Sequence, residues 1–349
     1  MRQKLVLGGI FAFAAVAGAL HYAGVEPVAV FIVSAAALGG LAWAIGIGTE
    51  SVSAHFGPAV TGVLQTTLGN LPELFIVVFA LSAGEIVVAQ TSILGSLFAN
   101  ALLVLGLAIV AGASRSDDGV MRFSPRLPND TAILLLLASF LIVLLGLSDR
   151  VGDRASRHEL AISVVGAVVL LSIYVLWVVD YLRSPEAREP ALEEGAHHLP
   201  FVRALALLAA AGVGAAFVSD WFIAALDPAV TKLGISKAFT GLVIVAIAGN
   251  AVENVVGVTL AAKGEADLAI SVVKNSVAQV AVFLFPVLVL LSLFFTHRLT
   301  FVVNPVLTGA VALMAISVWA ITGDGRALRY EGWALVGFYA ILATLVWFE

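Results

Sequence analysis

Glu73 lies in GNLPELFIVVFALSAGE and Glu253 in GNAVENVVGVTLAAKGE, each among Leu, Val, Phe and Ala with no basic residue beside it. An acidic side chain at mid-membrane costs roughly 2.5–3.5 kcal/mol on an insertion scale, so it is expected to face a cavity or a partner and to mark a functional site. The residues around the two glutamates repeat. Adding 180 to Gly69, Asn70, Glu73, Gly84, Glu85 and Ser96 gives Gly249, Asn250, Glu253, Gly264, Glu265 and Ser276, with no gap. A single G-N-x-x-E is a weak signal, but two copies in register are an internal repeat. Asn70 and Glu73 are three apart, as are Asn250 and Glu253, so each pair shares a helix face. Ser96 with Asn100, and Ser276 with Gln279, do the same at spacings of four and three. Together the copies offer carboxylates, amides and hydroxyls, an oxygen-rich set without thiol or imidazole. Helix packing through the acids alone would explain buried glutamates but not two matching polar clusters.

The elements that must carry these residues are membrane helices. The chain has 349 residues, 61% hydrophobic and 12% charged, with a mean hydropathy of +1.07. A soluble domain is nearer a quarter charged. Cys is absent, which excludes disulfides and thiolate metal sites. A span needs about 20 apolar residues, and eleven candidates run near 4–22, 27–48, 57–82, 85–112, 131–148, 158–182, 200–220, 238–262, 266–293, 299–322 and 331–348. The first is read as a retained helix rather than a cleaved signal. The third is broken at Gly69 and Pro72; the eighth carries Gly241, Gly249 and Gly257 but no proline. Interrupted segments at matching places in two halves point to a transporter binding site.

The expected fold is an all-α polytopic membrane protein of about eleven helices. It comprises an extra N-terminal helix (1–26), a first repeat (27–182), a polar, acidic linker (183–199) and a second repeat (200–349). Five spans per repeat is an odd number, so the second repeat enters the membrane inverted and the two Glu-bearing helices reach the midplane from opposite faces. Lys and Arg are more numerous in the loops that lie inside when the N-terminus is cytoplasmic. Glu50, ending the second span, and Asp220, ending the seventh, are candidate entrance acids, or simply helix-end acids at the water boundary.

At GNLPEL…GSLFAN and GNAVEN…NSVAQ the chain resembles the cation/proton exchanger (CAX) family of the calcium/cation antiporter superfamily, over about residues 27–349 and most specifically 69–106 and 249–286. The resemblance implies that Glu73 and Glu253 bind cation and protons, with Asn70, Asn250, Ser96, Asn100, Ser276 and Gln279 lining the same site. It also implies that Glu186, Glu189, Glu193 and Glu194 form a shortened acidic region between halves. Two residues and one motif depart from the family pattern. Asn254 stands where many members have His, Asn275-Ser276-Val277-Ala278-Gln279 replaces G-S-S-x-Q, and Lys274 has no usual counterpart. Lys274 lies about 200° around a helix from Ser276, so it is expected to face away from the ligands and to snorkel or pair with an acid.

Hard cations such as Ca²⁺ take six to eight oxygen ligands, whereas softer metals favour Cys and His; the six His fall at span ends or in loops. Ca²⁺ binds deprotonated carboxylates, so cation and protons exclude one another. Two neutral Glu, or two Glu⁻ with Ca²⁺, both leave the site uncharged, and the empty doubly charged form is costly to occlude. Three readings follow: a Ca²⁺/H⁺ antiporter; a Na⁺/Ca²⁺ or other divalent exchanger of the same superfamily; and an intramembrane hydrolase using the acids, which lacks H-E-x-x-H. The expected partners are Ca²⁺, H⁺ and the lipid bilayer, in a prokaryotic inner membrane with the N-terminus cytoplasmic. No cofactor and no nucleic acid are expected.

Overall fold

A computed structural model describes residues 2–53, 55, 68–183 and 199–349. Among the described residues nine helices are long and apolar enough to cross a membrane, and a bent pair makes a tenth. Helix α1 is Arg2–Tyr22 and α2 is Pro27–Ser53. Helix α3 (Leu71–Ala83) belongs to the third expected span, whose residues 56–67 lie outside the described residues. Helix α4 (Ile86–Phe98) runs through a π-helical turn, Ala99–Val104, into α5 (Leu105–Ala113). Then come α6 (Arg126–Val151), α7 (Glu159–Arg183) and α8 (Phe201–Leu233). The 184–198 portion of the expected linker lies outside the described residues.

The second set of Glu-bearing helices begins with α9 (Lys237–Gly249), joined through Asn250 to α10 (Ala251–Lys263). Helix α11 (Ala266–Gln279) passes through a second π turn, Val280–Leu284, into α12 (Phe285–Leu291). Helices α13 (Pro305–Thr322) and α14 (Arg329–Trp347) complete the order.

Two features depart from the sequence expectation. The all-α expectation omits a small antiparallel ribbon, β1 (Val120–Arg122) against β2 (Arg326–Leu328), in which Met121 faces Ala327. It ties the loop after α5 to the loop after α13. The seventh span does not end at Asp220: α8 continues to Leu233 with Pro228 inside it. A 33-residue helix is about 50 Å long, well beyond a hydrocarbon core of about 30 Å. Asp220 interrupts the apolar sequence, which resumes over Trp221–Leu226, and ends neither the stretch nor the helix. The last turns are polar enough to stand in water, where Lys232 pairs with Glu26 at 2.6 Å.

The helices that carry the motifs are the most enclosed. The window of Ile86–Ala113 is 83% buried and that of Ala266–Phe294 61%, against 17% for Leu5–Tyr22. These two spans form the centre, and α1 lies at the lipid-facing margin.

Candidate functional site

The two breaks have nearly the same backbone. Asn70 has φ −90° and ψ 14°, and Asn250 has φ −96° and ψ 26°. Pro72 lies in the first turn of α3, yet α9 and α10 are bent by 57° with no proline. In the second copy the asparagine side chain joins the helix ladder at the bend. The Asn250 side-chain amide donates to the Ala246 carbonyl at 2.9 Å, where its own backbone N–H also donates at 3.2 Å. Such local side-chain bonds compete with the helix ladder. The next segment then ends alike in both copies. Gly84 (φ 81°) and Gly264 (φ 94°) close α3 and α10 in the left-handed region, which suits glycine because it lacks a Cβ. Glu85 (φ −82°, ψ 61°) and Glu265 (φ −83°, ψ 64°) open α4 and α11.

The polar residues of the two copies interleave. Asn250 donates through Nδ2 to Ser96 Oγ at 2.8 Å and accepts at Oδ1 from Asn100 Nδ2 at 2.8 Å. Asn100 Nδ2 also donates to Ser276 Oγ at 3.0 Å. The chain Ser96–Asn250–Asn100–Ser276 therefore alternates between first and second copy. All four side chains are buried. Asn100 Oδ1 is buried with no hydrogen-bond partner among the described residues, a free acceptor in the middle of the cluster. Leaving such an acceptor unmet costs about 1–3 kcal/mol, which a cation or a water would relieve.

Glu73 adjoins this network. It is 1% exposed in the first turn of α3. A Cβ placed on Gly249 would meet its Oε1 at 2.5 Å and its Cδ at 2.8 Å, so the carboxylate lies directly on the backbone of the second break. Glu253 is in the first turn of α10, and its side chain lies outside the described residues. Asn70 is buried at the head of α3. Gln279 ends α11 where the π turn begins. Glu50 and Asp220 are exposed, and neither joins the network.

Glycines make this meeting possible. A Cβ on Gly95 would lie 2.5 Å from the Leu242 carbonyl oxygen and 2.6 Å from its Cα, and one on Gly241 would collide with the Thr91 hydroxyl. Helix α4 thus crosses α9 backbone to backbone, which brings Ser96 to Asn250. Small residues permit such approach between membrane helices.

Several features were not legible beforehand. The π turn Ala99–Val104 contains Asn100 and Val280–Leu284 follows Gln279, a frequent kind of place for such bulges, and a third, Thr240–Val245, precedes the Asn250 break by four residues. Lys237, opening α9, donates to Glu85 at 2.9 and 2.7 Å and pairs with Asp227 of α8 at 2.5 Å. Asn254 Nδ2 reaches the Ile247 carbonyl at 3.4 Å. Lys274 is buried as a donor to Thr322 Oγ1 at 3.2 Å. That corrects the snorkelling or acid-paired lysine expected from the sequence, since it makes no ion pair among the described residues. No group of three His, Asp or Glu is placed to hold a metal among the described residues.

Comparison with known proteins shows where this arrangement recurs. The family described as sodium/calcium exchanger protein matches residues 26–180 and again 203–348. The chain belongs to this family. This exchanger-family chain is 30% identical to a Ca(2+)/H(+) antiporter of Synechocystis sp., over 97% of its own length and 96% of that protein's. Its structure is similar to the crystal structure of the Ca2+/H+ antiporter protein YfkE, with a TM-score of 0.81, 25% identity and full coverage of both chains. The sodium-calcium exchanger NCX_Mj shares the fold at a TM-score of 0.55 and 18% identity, over 97% of this chain and 98% of that one. The exchanger-family chain is thus a multi-pass membrane transporter by family.

Proposed function

We propose that the protein exchanges Ca²⁺ for H⁺ across a membrane by alternating access, with Glu73 and Glu253 binding cation and protons in competition. The carrying observation is the interleaved Ser96–Asn250–Asn100–Ser276 chain beside the buried carboxylate of Glu73, with Asn100 Oδ1 open to a cation. A site made half from each copy changes shape when the copies move, which suits exposure to one side and then the other. Its donors are oxygens, fitting a hard cation; Asn70 and Gln279 are assigned to its edges. Glu50 and Asp220 are assigned to the water boundary at its approaches.

Ca²⁺ and H⁺ are favoured over Na⁺ and Ca²⁺ as the exchanged pair by the named activity of the full-length relatives and by the greater structural likeness to YfkE than to NCX_Mj. We assign residues 27–182 and 200–349 to two inverted repeats, 1–26 to an extra helix and 183–199 to the linker. The two separate stretches matched by the family support this division. The N-terminus is assigned to the cytoplasmic side of a prokaryotic inner membrane. The deciding experiment is radiolabelled Ca²⁺ uptake into proteoliposomes under an imposed pH gradient. Uptake without Na⁺ is expected; uptake that requires Na⁺ would move the protein to the other exchange.

A further inference from the structure

We propose that the ammonium of Lys274 is a specificity-determining charge, weakening the cation site's hold on divalent ions from the far face of α11. The inference rests on the cation-site reading above. Lys274 is 1% exposed, in the span that also carries Ser276 and Gln279. Its equivalent in the first copy, found by subtracting 180, is Leu94, 0% exposed. The enclosed centre therefore contains an amine on one side of an otherwise matched pair of helices.

The surroundings of Lys274 offer its amine one neutral hydroxyl and no counter-charge among the described residues. Nζ donates to Thr322 Oγ1 at 3.2 Å, and that hydroxyl in turn donates to the Val318 carbonyl at 2.7 Å. Thr322 is the last residue of α13, where the helix dipole presents its negative end. Among the described residues, the acids near Lys274 on the neighbouring elements are engaged elsewhere or exposed. Asp267, two turns back on the same face of α11, is exposed and accepts from the Ser124 N–H at 2.6 Å. Asp324, beyond α13, accepts from the Arg326 N–H at 3.0 Å. Asp130 of α6 is exposed.

Two residues along and about 200° around the helix, the ammonium and the Ser276 hydroxyl are separated by roughly one helix diameter, about 10 Å. Ser276 accepts from Asn100, the residue with the open acceptor. At that distance inside protein a unit charge is felt strongly, and a divalent ion is repelled twice as hard as a monovalent one.

The test is Ca²⁺ flux against Ca²⁺ concentration in proteoliposomes of wild type, Lys274→Met, Lys274→Gln and Lys274→Arg at one fixed pH. Removing the charge should lower the KM for Ca²⁺ on the order of a hundredfold, from the Coulomb estimate for a divalent ion about 10 Å away at an effective dielectric near 20, with kcat little changed. Lys274→Arg should keep the wild-type KM. The Ca²⁺-induced rise in Tm of the detergent-solubilised protein should be larger in the neutral variants. Gln can still donate to Thr322, so it carries the test if Met prevents folding. An unchanged KM in a folded neutral variant, or the same change in Met and Arg variants, overturns the proposal. Wild type with neither Ca²⁺ flux nor a Ca²⁺-induced Tm shift overturns instead the cation-site reading on which it rests.

Discussion

Glu73 and Asn250 meet at one break in the backbone. The carboxylate rests on Gly249, and the neighbouring amide bridges Ser96 and Asn100. The chemistry of each side chain then sets what its loss should do. In Glu73→Gln or Glu253→Gln, Ca²⁺ would leave an uncompensated positive charge at mid-membrane, while the protonated form stays neutral. A charge there costs roughly 2.5–3.5 kcal/mol, about a hundredfold in rate. Exchange should fall by about that factor, read as Ca²⁺ flux with a pH-sensitive dye in the same vesicles; a wild-type rate in either variant would make that glutamate structural. Asn250→Ala removes three polar contacts, two of them between copies, and should destabilise by about 2–4 kcal/mol at roughly 1 kcal/mol per hydrogen bond. Asn70→Ala should be milder, because water can replace a neutral ligand. Thermal melting of the two variants in detergent checks the order. At this scale the sequence revealed the residue types, because acids and amides are rare in apolar runs. It could not reveal which amide bonds which hydroxyl, since Asn100 and Ser276 lie in separate copies. Nor could it assign Lys274 to Thr322, 48 positions away.

The helices are positioned by what their glycines omit. Gly95 lets α4 lie against the backbone of Leu242, and Gly84 and Gly264 end α3 and α10 with the chain turned back. Gly95→Val would force α4 away from α9 and separate Ser96 from Asn250. Overpacking of this kind typically costs 1–3 kcal/mol, so the variant should melt earlier and lose flux more than its stability loss explains. An unchanged Tm with full flux would show that the crossing tolerates the side chain. The break in the third span could be anticipated from Pro72, whereas the matching break at Asn250 has no proline and is marked only by an amide that shares the Ala246 carbonyl with its own backbone N–H. The π turns were illegible for a related reason. An extra residue shifts the helical phase by about 100°, but ANALLV and VAVFL are apolar almost throughout, so no face marks the shift and they read as ordinary helix.

For the molecule as a whole, hydropathy located the apolar cores of the spans well and their ends poorly. Asp220 read as the end of a span, but the apolar sequence resumes at Trp221–Leu226 and α8 runs on to Leu233, its last turns carrying Asp227, Thr231 and Lys232. The β1–β2 ribbon was hidden because three-residue strands in polar loops carry no periodicity. The 180-residue offset has a consequence that tests the architecture directly. Ser82 and Ala262 are equivalent positions, each exposed beside the glycine that closes its helix. If the repeats are inverted, these two positions lie on opposite sides of the membrane; if parallel, on the same side. The chain contains no Cys, so Ser82→Cys and Ala262→Cys can be made singly without background. In intact cells a membrane-impermeant maleimide should label Cys at 82, on the outer side when the N-terminus is cytoplasmic, and reach Cys at 262 only after permeabilisation. The opposite pattern would reverse the orientation but keep the inversion. Labelling of both from the same side would break the inverted repeat, and with it the account of how one site faces two compartments in turn.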